Sequence, residues 1–313
     1  MSIRMEGQTI AGKSLSARYA SFVKLPHTLF ALPFAGVGAV LASWQYASNL
    51  TVETAGWIVL AFTAARFAAM GFNRIVDRRY DALNPRTARR ELPSGALTMP
   101  QAVVAVTVAA AVFVFASWML NPLCGMLAPV ALAWVFFYSY TKRFTAWAHH
   151  VLGLALGIAP AGAYLAVSGT WPEPWYALPL LSAAVMFWVA GFDVIYALQD
   201  IDFDRAQRLH SIPARVGAQR ALRLARVFHM ISFALFAVIA LGDVLPTGVF
   251  FTAGVLVMAA LLVYEHRVIG AGDPAQIDLP RIDRAFFHAN IAVSMSIFVF
   301  TLLDRLLAGS LPL

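Results

Sequence analysis

The sequence predicts an all-α membrane protein, a bundle of about nine transmembrane helices with its N-terminus in the cytoplasm. Three observations carry that reading. Hydrophobic residues fill 60% of the 313 positions against 12% charged, and the mean hydropathy is +0.72, far from the composition of a soluble domain. The apolar residues gather in runs of about 20, the length a helix needs to cross ~30 Å of hydrocarbon. Lys and Arg fall in alternate connections, the distribution that keeps short loops in the cytoplasm.

Taken in order, the spans fall at residues 25–46, 56–73, 99–119, 123–140, 146–167, 179–199, 222–241, 246–265 and 285–307. Residues 1–21, with Arg4, Lys13 and Arg18, are polar and lead straight into a full-length span. They read as a cytoplasmic segment rather than a cleaved signal, and residues 22–313 as one transmembrane domain. Lys24 precedes span one, and six arginines from Arg74 to Arg90 follow span two. Lys142 and Arg143 follow span four, and six more arginines from Arg205 to Arg226 follow span six. Arg267, Arg281 and Arg284 lie between spans eight and nine, whereas the opposite loops carry Glu53, Glu173 and Asp243 but no Lys or Arg. Trp171 and Trp175, in an outer loop, suit a membrane-interface belt. Gly153, Gly157 and Gly162 suit close helix approach in span five. With Cys124 the only cysteine, a disulfide or thiolate metal site within the chain is excluded. The pI near 9.9 does not argue for nucleic acid, because these cations sit at membrane borders where topology and anionic lipid account for them.

Two segments close apolar runs with acids on the cytoplasmic side. The first is Asn73-Arg-Ile-Val-Asp77-Arg-Arg-Tyr-Asp81, the second Asp193-Val-Ile-Tyr196-Ala-Leu-Gln-Asp200-Ile-Asp202-Phe-Asp204. Asp77 and Asp200 are 123 residues apart, as are Asp81 and Asp204, so the chain reads as one helical unit used twice, with Tyr196 opposite Asn73. On a helix, positions four apart share a face. Each pair offers the hard oxygens that Mg²⁺ takes alongside phosphate oxygens and water, though neither pair can cage an ion alone. A charge at mid-membrane costs roughly 2.5–3.5 kcal/mol on insertion scales, so these acids belong at the interface or in a hydrated cavity. The competing explanation is neutralisation by neighbours such as Arg78, Arg79 and Arg205. Two segments with one spacing on one side weigh against that, and they point to a polyvalent anion held through metal. His149, His150, His266 and His288 lack a second ligand at metal spacing and read as packing residues.

These motifs resemble the UbiA superfamily of intramembrane aromatic prenyltransferases over most of the chain. Arg66, Asn73, Asp77 and Asp81 are similar to its first signature, and Arg86-Thr-Ala-Arg-Arg90-Glu-Leu-Pro93-Ser-Gly95 to the Arg-rich continuation. Tyr138-Ser-Tyr-Thr-Lys142-Arg143 resembles its fourth-helix motif, and Asp193 to Asp204 with Ser211-Ile-Pro213-Ala its second aspartate motif. Two departures stand out: Arg74 where many relatives have Asp, and Glu91 where Pro is common. The pattern Asn73-Arg74-x-x-Asp77, the opening Lys24-Leu-Pro-His27-Thr-Leu-Phe-Ala-Leu-Pro33-Phe and Asn84-Pro-Arg86-Thr together look most like the branch that prenylates a dihydroxynaphthoate on the futalosine route to menaquinone, a branch that also resembles 4-hydroxybenzoate polyprenyltransferases.

The resemblance implies helices around a central cavity, two Mg²⁺ ions on the diphosphate of an isoprenoid donor, and a bacterial inner or plasma membrane. On that basis Asn73, Asp77 and Asp81 serve one metal, Asp200 and Asp204 the other. Lys142 and Arg143 contact phosphate, and Arg66 grips either diphosphate or the acceptor's carboxylate. Asp193 orients the acceptor, takes its proton or supports a metal-bound water. Tyr138 and Tyr196 contact substrate, with Phe72, Phe137, Tyr140 and Phe192 as further aromatic candidates, and His27 approaches the acceptor. The partners are then a polyprenyl diphosphate, an aromatic acid and the bilayer. A porphyrin or glycerol phosphate ether acceptor would use the same metal chemistry. A cation transporter would instead hold acids near the midplane at broken helices.

Overall fold

The computed structural model describes residues 14–24, 28–48, 50–270 and 288–307. His27, most of the N-terminal segment, Arg281 and Arg284 lie outside the described residues. A short α1 (Leu15–Phe22) precedes α2 (Thr28–Gln45), α3 (Val52–Leu83), α4 (Met99–Leu120), α5 (Pro122–Thr141), α6 (Ala148–Ser168) and α7 (Ala177–Tyr196). Two short helices, α8 (Ile201–Ala206) and α9 (Ile212–Val216), lead to α10 (Ala218–Leu241), α11 (Val249–Gly270) and α12 (Asn290–Leu307). No strand occurs among the described residues. Among the described residues eight helices are long and apolar enough to cross a membrane, and a shorter apolar stretch, Ala31–Gln45, accompanies them.

The helix ends follow from local chemistry. Thr98 and Gln101 exchange side-chain and backbone hydrogen bonds in a capping box at the start of α4, which satisfies two otherwise orphaned N–H groups. Asn121 stops α4 and caps α5 by accepting from the Cys124 N–H at 2.9 Å, with Pro122 at the first helical position, where its missing N–H is not needed.

Helix α7 is the buried axis of the bundle: 67% of its apolar window lies inside the protein, against 17–39% for the other spans. It packs on α6 and α10, while α2 lies against α6 and α12, and α3 against α4. Gly153 and Gly157 permit the α6–α7 approach, since a Cβ at either would strike the carbonyl of Met186 or Ser182. Gly162 does not share that role. Nothing lies within 4 Å of its added Cβ, because it faces a cavity rather than a helix.

The two aspartate segments differ in backbone. Asn73 to Asp81 lie on the uninterrupted α3, whose 32 residues extend about 48 Å, more than a crossing requires. The second segment is not one continuous helix, as its even spacing suggested. After Tyr196 the chain tightens into a 3-10 turn, Ala197–Asp200, before α8 begins. Each 3-10 residue turns by about 20° more than an α residue, which re-aims Asp200. Two backbone bonds hold the chain beyond it: His210 N–H to Lys142 C=O at 2.6 Å and Ile212 N–H to His149 Nε2 at 3.3 Å.

Candidate active site

Both segments meet on one polar cavity of about 240 Å³. Asn73, Asp77 and Asp81 line it from α3; Asp193, Tyr196, Asp200 and Asp204 line it from α7 and the turn beyond. Arg66 joins them from deeper on α3, and Tyr138, Lys142 and Arg143 from the end of α5. Every predicted site residue within the described chain therefore lies on one surface. Asp202 is exposed and does not line it. Of the further aromatic candidates only Phe192 does. Phe72 stacks on Phe136 with ring centroids 4.3 Å apart, and Phe137 and Tyr140 are largely exposed.

Asp77, Asp81, Asp200 and Asp204 each face a cation, but not the expected ones. Arg86 grips Asp200 with two bonds, Nε to Oδ1 at 3.1 Å and Nη2 to Oδ2 at 2.6 Å, and Asn84 donates to Oδ1 at 3.0 Å. Arg90 donates to Asp81 Oδ1 at 2.7 Å. Asp77 accepts from Asn73 at 2.9 Å and from Arg143 at 3.3 Å, while Lys142 Nζ stands 4.0 Å from Asp204 Oδ2. Arg78, Arg79 and Arg205 are exposed. On a helix, neighbours one or two positions apart do not face each other, so Arg78 and Arg79 point away from Asp77. The run Asn84-Pro-Arg86-Thr-Ala-Arg-Arg90 was the signal for the true partners.

The loop cations feel this arrangement strongly. Burial works against the Arg86 charge, yet Tyr196 and Asp200 hold its pKa above the ordinary arginine value. Burial likewise opposes the Lys142 ammonium, but Asp204, Asp200, Asp193 and Asp77 together raise its pKa. Lys24 has the reverse environment: burial, then Arg74, Arg90, Arg86 and Arg66, push it well below the lysine norm.

Sequence reasoning also missed His149. This fully buried side chain bonds Asp193 Oδ2 through Nδ1 at 2.6 Å while Nε2 accepts from the Ile212 N–H. That acceptor role fixes the proton on Nδ1. It joins a cavity acid to the loop that closes the second segment.

A second, apolar cavity of about 490 Å³ adjoins the first. Arg66, Met70, Asn73, Tyr138, Leu152 and Leu156 line both. It continues between α3, α5 and α6 past Cys124 and Gly162 to Trp171, so a charged head and a long apolar tail fit end to end.

The acids suit a divalent cation in chemistry and in unsatisfied valence. All are hard oxygen donors, and Asp81 Oδ2 and Asp204 Oδ2 are buried with no hydrogen-bond partner. Among the described residues no three His, Cys, Asp or Glu side chains already form a metal cage.

The UbiA prenyltransferase family model matches residues 31–291. The chain belongs to the UbiA prenyltransferase family. It is 32% identical over 241 residues to a 4-hydroxybenzoate octaprenyltransferase of Citrobacter koseri, covering 74% of this chain and 81% of that protein. A Salmonella paratyphi B protein of the same name is 31% identical over the same shares. The fold matches the apo UbiA homolog of Aeropyrum pernix K1 with a TM-score of 0.76 at 34% identity, over 89% of this chain and 98% of that one. It also matches a UbiA homolog of Archaeoglobus fulgidus bound to GPP and Mg²⁺, with a TM-score of 0.74 at 17% identity, over 91% and 98%. This UbiA enzyme is thus a multi-pass membrane polyprenyltransferase.

Proposed function

We propose that the enzyme transfers a polyprenyl group from an isoprenoid diphosphate to an aromatic acid, 4-hydroxybenzoate or a dihydroxynaphthoate, with Mg²⁺ and from the cytoplasmic face of a bacterial inner membrane. What carries this reading is the meeting of both aspartate segments with Lys142 and Arg143 on a polar cavity that opens into an apolar one. Asn73, Asp77 and Asp81 would hold one Mg²⁺, Asp200 and Asp204 a second. The bound metal offsets charge on the departing diphosphate. Lys142 and Arg143 bind phosphate oxygens, where a preorganised cation in a dry site is worth far more than in water. Arg66, at the junction of the cavities, steadies the diphosphate end of the donor. Tyr138, Phe192 and Tyr196 offer π faces to the allylic cation. Asp193, held in one orientation by His149, takes the proton the acceptor ring loses.

The names of the C. koseri and S. paratyphi B relatives support the aromatic acid, and the A. fulgidus homolog's ligands support a metal-bound isoprenoid diphosphate. The Lys- and Arg-rich face supports the cytoplasmic placement. The test is detergent-purified protein given a polyprenyl diphosphate with 4-hydroxybenzoate or 1,4-dihydroxy-6-naphthoate, with and without Mg²⁺. Mg²⁺-dependent diphosphate release coupled to a prenylated acid is expected. Release with neither acid, or equal release under EDTA, overturns the reading.

A further inference from the structure

The cavity's cations fall into two sets. Lys142 and Arg143, at the end of α5, face Asp204 and Asp77. The other set surrounds Tyr196: the Arg86 guanidinium lies 5.5 Å from the ring centroid and 3.2 Å from its hydroxyl, and Lys24 Nζ lies 5.8 Å from the centroid. Arg74 and Arg90 line the same cavity beside them and both approach Asp81, at 3.8 and 2.7 Å.

Within this second set the arginines have unequal commitments. Arg86 is held by Asp200 and Arg90 by Asp81. Arg74 is only 4% exposed, yet it makes no hydrogen bond among the described residues, and its Nε is buried with no partner. It forms one long ion pair, Nη1 to Asp81 Oδ2 at 3.8 Å, beyond hydrogen-bond reach. Glu91 adds an opposing charge nearby without reaching ion-pair distance. A buried guanidinium brings five donors and no acceptor, and leaving them unmet is costly. The group that fits a planar donor fork is a planar two-oxygen anion.

We propose that Arg74, assisted by Lys24, binds the carboxylate of the aromatic acceptor and sets its ring against Tyr196, apart from the cations that bind diphosphate. This rests on the aromatic-acid reading above. Two anionic substrates must sit side by side for the reaction, and separate cationic patches relieve their mutual repulsion. Among the arginines at the Tyr196 patch, Arg74 has only a 3.8 Å ion pair with Asp81 and no hydrogen bond to a protein acid among the described residues.

The experiment compares an aromatic acid with its methyl ester as acceptors for the full-length protein in detergent with Mg²⁺. Wild type should prefer the acid. Arg74→Gln should raise the acid's KM about 10- to 100-fold, the range for a lost hydrogen bond to a charged group. The acid-to-ester ratio of kcat/KM should fall by a similar factor while the donor's KM stays within about twofold. Arg74→Lys should recover part of the preference, and Lys24→Gln should reduce it less; these variants keep the test decisive if Arg74→Gln does not fold. A rise in the donor's KM instead would assign Arg74 to diphosphate and overturn the proposal. An equal loss with acid and ester would make Arg74 structural and also overturn it. Wild type that uses acid and ester alike sinks this subsite alone, whereas wild type that prenylates no aromatic acid sinks the underlying reading with it.

Discussion

The two aspartate segments share one spacing and almost nothing else. The first rides on a single uninterrupted helix, so Asn73, Asp77 and Asp81 take their positions from helix geometry alone. The second takes its shape from tertiary bonds: a 3-10 turn delivers Asp200 to Arg86 and Asn84. Depth differs too. Arg66 stands seven residues before Asn73; the matching position before Tyr196 is Val189, which lines the same cavity without charge. A unit used twice in sequence has thus become a rigid half that carries the deep cation and a latched half that borrows its order from a loop. What the pair teaches is that equal ligand spacing does not imply equal preorganisation.

If both halves hold metal, their acids should be equally indispensable however differently they are built. Asp77→Ala and Asp200→Ala are each expected to lower Mg²⁺-dependent prenyl transfer by at least about 10³-fold with expression intact. Normal turnover in either variant would break the two-metal assignment. The latched half should be more fragile. Arg86→Gln strips a carboxylate that is 90% buried of its bidentate partner, so a stability loss of about 3 kcal/mol is expected, the low end for breaking a buried pair. Mg²⁺ should return part of the lost thermal midpoint by charging the vacated side of Asp200. A midpoint that ignores both the substitution and the metal would remove the latch. Arg66→Ala probes the rigid half, where kcat should fall about 10- to 100-fold with the acceptor's KM little changed. A rise confined to the acceptor's KM would instead give Arg66 the carboxylate.

The helices and the aspartate spacing were legible because each is a property of consecutive residues: apolar runs of spanning length, and acids four apart on one face. The described spans follow the expected segments closely. What could not be read is where nonlocal bonds decide the outcome. Arg78 and Arg79 adjoin Asp77 in sequence, yet helical rotation carries them outward; Asp77 pairs with Arg143 from α5 instead, and Asp81 and Asp200 take Arg90 and Arg86 once the loop folds back. His149 looked like packing because its two partners lie 44 and 63 residues away. The 3-10 turn is set by the same distant contacts.

The smallest expected effect sharpens the contrast between the halves. The Arg143–Asp77 pair resembles Arg86–Asp200 as a cation–carboxylate contact on one cavity, but its side chains are 33% and 30% exposed against 19% and 10%. It is also longer and has a single guanidinium bond to the acid, and Asp77 keeps a second donor in Asn73. Water and Asn73 can therefore take over when the guanidinium is removed. Arg143→Gln should cost less than about 1 kcal/mol in stability, as exposed pairs do, while its loss appears in catalysis as weaker donor binding. Thermal unfolding of Arg143→Gln beside Arg86→Gln, with donor KM measured on both, separates the two roles. If Arg143→Gln destabilised the protein as much as Arg86→Gln, the rigid half would depend on its salt bridge after all, and helix geometry alone would not account for the first aspartate pair.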